Sequence, residues 1–137
     1  RTSMGVEKFK TMRQILFSLL LCTSLHAMAA TPAELLAAYT AQAGQPANAA
    51  RGETFFKASH GQEWQCTSCH GNSPMLGGRH ASTDKAIEPL APAANAKRFT
   101  DSAKVEKWFR RNCKDVLARE CTAVEKADVL AWLITLR

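Results

Sequence analysis

From residue 31 onward, apolar positions recur at helical rather than strand spacing. Thr31-Pro32-Ala33-Glu34 reads as a helix start. Thr31 is the N-cap, Pro32 suits the first helical position, and Glu34 is placed to reach back as a capping-box partner. Leu35, Leu36 and Tyr39 give this helix its apolar face, and Gly44 and Pro46 end it. A second helix is predicted over 49–59, carrying Gly52, Phe55 and Phe56. Thr100-Asp101-Ser102 caps a third. Val105, Trp108 and Phe109 recur in it at i, i+3 and i+4, and Asn112 takes the next place on that face, at the helix end. Thr122 and Glu125 form another capping box, opening a last helix that runs nearly to Arg137 with Val129, Trp132 and Leu133 as its buried stripe. No strand alternation and no internal repeat breaks the pattern, so the expected fold is one all-α domain of four or five short helices.

Between these helices, 71–96 has little apolar periodicity and contains Gly71, Pro74, Gly77, Gly78, Pro89 and Pro92. A loop of this length in a small domain is usually functional. It suits a chain wrapped around a buried group that replaces part of the core.

The start of the chain follows a different rule. Lys8, Lys10 and Arg13 precede an apolar run that begins at Ile15 and continues to Leu25, and Ala27-Met28-Ala29 supplies small residues at the −3 and −1 positions. This is the order of a secretory signal peptide, with cleavage expected after Ala29. Residues 1–11 read as a possible upstream extension. The apolar run is about half of the roughly 20 residues that span a bilayer, which argues against an anchor. Cys22 follows Leu21 rather than a small residue, which argues against lipidation. The expected organisation is therefore a signal peptide at 1–29 and a mature domain at 30–137, exported to the periplasm.

Export changes how charge and composition are read. The full chain has 137 residues, 18 Lys+Arg against 12 Asp+Glu, and a net charge of +6. Removing Arg1, Lys8, Lys10 and Arg13 together with Glu7 lowers the net charge to +3. No basic run longer than Arg110-Arg111 remains and no aromatic residues interleave with it, so nothing suggests a nucleic-acid partner. The length allows one domain.

The chemistry lies in the four cysteines that remain. Cys66-Thr67-Ser68-Cys69-His70 is C-x-x-C-H, the c-type haem attachment signature. Two thiols add across the two vinyl groups of one haem, and the adjoining His70 is placed as the proximal iron ligand. A thioredoxin-like redox pair would follow a strand within a βαβ unit, and no such pattern precedes it. Half a zinc site would need a second ligand pair, and Cys113 and Cys121 have no nearby His. One motif implies one haem c, held through Cys66 and Cys69. After export, Cys113 and Cys121 are expected to pair. Eight residues of helix rise about 12 Å, and a disulfide needs Cα atoms within roughly 7 Å, so the chain must turn back between them.

Gly52 and Phe56 at i, i+4, the C-x-x-C-H that follows, and the Val129/Trp132/Leu133 helix together resemble class I cytochromes c. That resemblance implies a crossing of N- and C-terminal helices, with glycine allowing the close approach. Most members take a methionine sulfur from a downstream loop as the second axial ligand. Here Met75, five residues after His70, is the only methionine after the leader. The sixth position falls to His60, His80, Asn112 or a lysine, or stands open. His80 in Gly-Gly-Arg-His would give a bis-histidine electron carrier. Asn112 is a weak neutral ligand whose argument is its position at the end of the Val105/Trp108/Phe109 face, beside the expected disulfide.

The stretch from Arg98 to Trp108, together with Arg111-Asn112-Cys113, Cys121-Thr122, Glu125-Lys126-Ala127-Asp128 and Pro89-Leu90-Ala91-Pro92, is similar to the sphaeroides haem protein (SHP) family across 31–137. The resemblance implies Asn112 as an axial ligand and a Cys113–Cys121 bridge. It also implies that Asn112 leaves iron on reduction, so that O₂, NO or similar diatomics bind, and that dihaem c-type and membrane b-type cytochromes are redox partners. The physical chemistry agrees with such a release, since an amide oxygen is a hard donor that suits Fe(III) better than Fe(II). The second nitrogen of His70 needs a hydrogen-bond acceptor, expected in the backbone near Pro89. Three functions stand at this point: an electron carrier with a distal site opened by reduction, which is the favoured reading; a plain shuttle with His80 on the iron; and a haem enzyme reducing O₂, NO or peroxide, with His80 or Arg79 as acid–base group. Lys57, Lys97, Lys104 and Lys107 are candidates for docking an acidic partner cytochrome.

Overall fold

The computed structural model describes residues 29–137, and the expected leader lies outside them. The described chain runs α1 (Pro32–Ala43), α2 (Ala49–Lys57), α3 (Cys66–His70), β1 (Gly78–Arg79), β2 (Ala86–Ile87), α4 (Ser102–Leu117) and α5 (Ala123–Thr135). Both expected capping boxes form: Thr31 with Glu34 on α1 and Thr122 with Glu125 on α5. Asn48 caps α2 by accepting from the Arg51 amide. Asp101 caps α4 by accepting from the Lys104 amide.

The C-terminal helix α5 organises the core by packing on both α1 and α2. Leu35 and Tyr39 of α1 and Phe56 of α2 are buried against Leu130, Trp132 and Leu133. Phe56 and Trp132 pack with ring centroids 5.1 Å apart and planes tilted by 52°. The α2–α5 crossing is closest at Gly52, where a β-carbon would overlap the backbone carbonyl of Asp128. Asp128 is itself buried, and it accepts from the Asn48 amide at 2.7 Å and from the Arg51 guanidinium. This pairing ties the start of α2 to the middle of α5.

Two local features depart from the sequence reading. The 71–96 segment contains a minimal antiparallel hairpin, pairing Gly78 with Ile87 and Arg79 with Ala86. Two-residue strands are too short to register as alternation. The helix carrying Asn112 does not end there but continues to Leu117, so Asn112 lies inside the helix. The reversal comes at Ala118, in the left-handed region at φ 56°. That turn brings Cys113 and Cys121 together, bonded, with Cα atoms 5.5 Å apart. Closing so short a loop removes roughly 2.5 kcal/mol of unfolded-chain entropy in the simplest account. Cys113→Ser/Cys121→Ser is expected to lower the unfolding free energy by about that amount, measured by urea unfolding with midpoint and slope fitted together.

In contrast to the close crossings among α1, α2 and α5, helix α4 stands farther off and reaches α1 and α5 through side chains. A cavity lies alongside it.

Candidate haem site

The short helix α3 presents the attachment motif. The Gln65 amide donates to Ser68 Oγ at 3.0 Å, and Gln65 Nε2 donates to Thr67 Oγ1 at 2.7 Å, which closes the first turn. Gly71, at φ 69°, ends it. Within this turn Cys66 and Cys69 stand at i and i+3, on one face. Both are free, half-buried thiols. Gly78 of the hairpin lies against the Cys69 carbonyl, where a β-carbon would overlap it, so β1 packs directly on the motif. The Ala81 amide donates to Cys69 Sγ at 3.3 Å.

Burial keeps Cys66 and His70 in their neutral forms. Burial pushes the Cys66 thiol up to about 11. Burial, and then the nearby Arg98 guanidinium, push His70 down to about 4. His70 is thus a neutral imidazole with a lone pair available, the form that binds metals. Its ring lies 6.1 Å from that of Phe56, centroid to centroid. Arg98 was not singled out from the sequence, and no spacing rule points to it. It fastens the long loop, with Nε donating to the Pro89 carbonyl at 2.9 Å and Nη2 to the Glu88 carbonyl at 2.7 Å. The acceptor expected for His70 near Pro89 is therefore engaged by Arg98.

A cavity of about 820 Å³ opens beside the motif. Cys66, Cys69 and His70 line it from α3, and Val105, Trp108, Phe109 and Asn112 line it from α4. The apolar face of α4 thus borders this space, and Trp108 remains 44% exposed. His80 also lines the cavity. Its ring sits 6.4 Å from that of Trp64, and its Nδ1 accepts from the Ser82 amide at 3.3 Å. His60 is drawn elsewhere, with Nε2 2.9 Å from the Phe55 carbonyl oxygen. Neither His60 nor Met75 belongs to the cavity lining. Arg79 is paired with the exposed Asp84 and is also outside it.

This donor set fits a haem. Two thiols on one helical face, an adjacent neutral imidazole and an apolar cavity of cofactor size are what covalent attachment and ligation require.

Comparison with known proteins gives the same assignment. Residues 42–133 match the family described as a domain of unknown function, DUF1924. The chain is 50% identical over 107 residues to the cytochrome c-type protein SHP of Cereibacter sphaeroides, covering 75% of this chain and 82% of that protein. It is 48% identical over 80 residues to cytochrome c'' of Methylophilus methylotrophus, covering 58% of this chain and 56% of that protein. Among solved structures, that of oxidised SHP, an oxygen-binding cytochrome c, superposes with a TM-score of 0.75 at 48% identity, over 79% of this chain and 99% of that one. Oxidised cytochrome c'' superposes with a TM-score of 0.67 at 38% identity, over 77% and 94%. The chain has an all-α cytochrome c-like fold around one haem c, thioether-linked through Cys66 and Cys69. From the attachment motif, the cavity and these likenesses together, the chain belongs to the SHP family of monohaem c-type cytochromes.

Proposed function

We propose that this protein is an exported, periplasmic electron carrier whose distal haem position is held by Asn112 in the oxidised state and vacated on reduction, so that O₂, NO or a similar diatomic binds there. The mature domain is 30–137, released by cleavage after Ala29. When bound, haem supplies a one-electron couple and an iron with two axial positions. His70 takes the proximal one through its neutral imidazole. Asn112 offers the distal one a neutral amide oxygen, a hard donor that holds the oxidised metal better than the reduced one. The oxygen binding stated for the related SHP supports the diatomic ligand. Dihaem c-type and membrane b-type cytochromes are the proposed redox partners. The reading is of a carrier and gas binder rather than a turnover enzyme.

The observation that carries it is that Asn112 and His70 border one cavity while Met75, the only methionine after the leader, does not. His80 is the rival for the sixth position. It borders the same cavity, yet it lies next to Ala81, whose amide bonds Cys69 Sγ at the attachment edge. Absorption and resonance Raman spectra of the haem-loaded Asn112→Ala and His80→Ala variants separate the two. Asn112→Ala is expected to convert nearly all of the ferric six-coordinate signal to five-coordinate or water-bound, and His80→Ala to leave it intact. The reverse outcome, with a ferrous state that fails to take up CO or NO, makes the protein a bis-histidine shuttle.

A further inference from the structure

The way α4 is held suggests a role for residues outside the cavity. Along this helix Val105, Trp108 and Asn112 form one stripe, at i, i+3 and i+7, and all three line the cavity. Glu106, Phe109 and Cys113 form the neighbouring stripe at the same spacing, and of these Phe109 and Cys113 also border the cavity while Glu106 does not. That second stripe carries the tethers. Tyr39 Oη of α1 donates to Glu106 Oε1 at 2.6 Å. Lys126 Nζ, in the first turn of α5, donates to Glu106 Oε2 at 2.8 Å. Lys126 also lies over the rings of Tyr39 and Phe109, at 5.6 and 6.0 Å from their centroids. Those two rings meet edge-on at 5.9 Å. One step past Asn112, Cys113 is joined to Cys121, just before α5.

Glu106, Tyr39 and Lys126 are all absent from the cavity lining, so none of them reaches the haem space itself. They lie between that helix and the body of the protein. Since α4 stands off from the other helices and reaches them through side chains, its height and rotation over the cavity depend on these tethers together with the packing of Val105 and Phe109 on the core. The disulfide fixes one point. A single point leaves the helix free to roll and tilt, and a second anchor about two turns earlier removes that freedom. Because α5 also carries the Gly52 crossing to α2, which leads into the attachment motif, this anchor sets the distal helix relative to the proximal one.

We infer that Glu106, held by Tyr39 and Lys126, is a positioning residue that sets α4 so that the Asn112 amide reaches the distal haem position. The inference rests on Asn112 being the distal ligand, as proposed above.

The test uses the haem-loaded full domain and the variants Glu106→Gln, Tyr39→Phe and Asn112→Ala. Glu106→Gln keeps the shape but removes the charge-assisted bond to Lys126, worth about tenfold in a favourable case. The expected result is a rise of about three- to tenfold in the ratio of five- to six-coordinate ferric haem, with a matching change in the rate at which Asn112 returns after CO is photolysed from the ferrous state and the haem reoxidised. Tyr39→Phe is expected to move the same readouts in the same direction. Combined with Glu106→Gln it should give less than the product of the single effects, since both act through one carboxylate. A wild-type coordination ratio and return rate in both variants, with only a lowered melting temperature, overturns the inference and reduces the network to a structural brace. If Glu106→Gln fails to fold, Tyr39→Phe alone decides. Asn112→Ala keeps the two questions apart: an unchanged ferric spectrum there removes the ligand assignment itself, whatever Glu106 does.

Discussion

Replacing both Cys66 and Cys69 with Ser is expected to abolish covalent haem, leaving a chain without the haem-staining band on a denaturing gel and without thioether-type absorption. The hydroxyl is nearly isosteric with the thiol but does not add to a vinyl group. The single variants should retain one linkage and a shifted absorption spectrum. The loss reaches beyond colour. The cavity beside α3 is walled by Phe55, Val105, Trp108 and Phe109, apolar side chains that the protein alone leaves part-exposed and the cofactor covers. Burial contributes about 25 cal/mol for each Å² of apolar surface, and emptying the site returns that surface to water. The double variant is therefore expected to melt well below the holoprotein, and calorimetry of the two checks this.

Gly52→Ala is expected to be strongly destabilising for the addition of a single methyl group. The glycine is buried in α2 at its crossing with α5, and the new β-carbon would overlap the Asp128 carbonyl and sit 2.8 Å from the Val129 amide nitrogen. Both obstacles are helix backbone, so no side-chain rotation relieves them. The helices must separate, which disturbs the Phe56–Trp132 contact and stretches the bonds from Asn48 and Arg51 to Asp128. Overpacking of this kind costs about 3 kcal/mol or more. Guanidinium unfolding of the holoprotein measures it. A midpoint within error of wild type would mean that α2 and α5 have more room than the crossing shows.

The parts of this molecule that could be read from sequence are those fixed by short-range rules. Thr31 with Glu34, and Thr122 with Glu125, announce their helices because a capping box is completed within four residues. Cys66 to His70 announces the haem because thioether chemistry demands that spacing. The crossing at Gly52 was legible only through family resemblance, since a glycine in a helix does not say what approaches it. What could not be read was long-range. The extent of α4 past Asn112 is hidden because the need to turn back between Cys113 and Cys121 points to an earlier stop, although Cys113, Val116 and Leu117 continue the apolar stripe from Phe109. The hairpin at Gly78–Arg79 was invisible because each strand has two residues. Arg98 reaches back to carbonyls nine and ten residues away, and Glu106 joins partners on two other helices. Neither connection leaves a periodic trace.

The standing of α4 apart from its fellow helices has a consequence for the life of the polypeptide before it matures. Val105 and Phe109 border the haem cavity while also packing on the core, whereas Trp108 borders it and stays 44% exposed. An unfinished molecule thus displays a greasy strip that the finished one covers, a visible difference by which proteases and chaperones can sort the two.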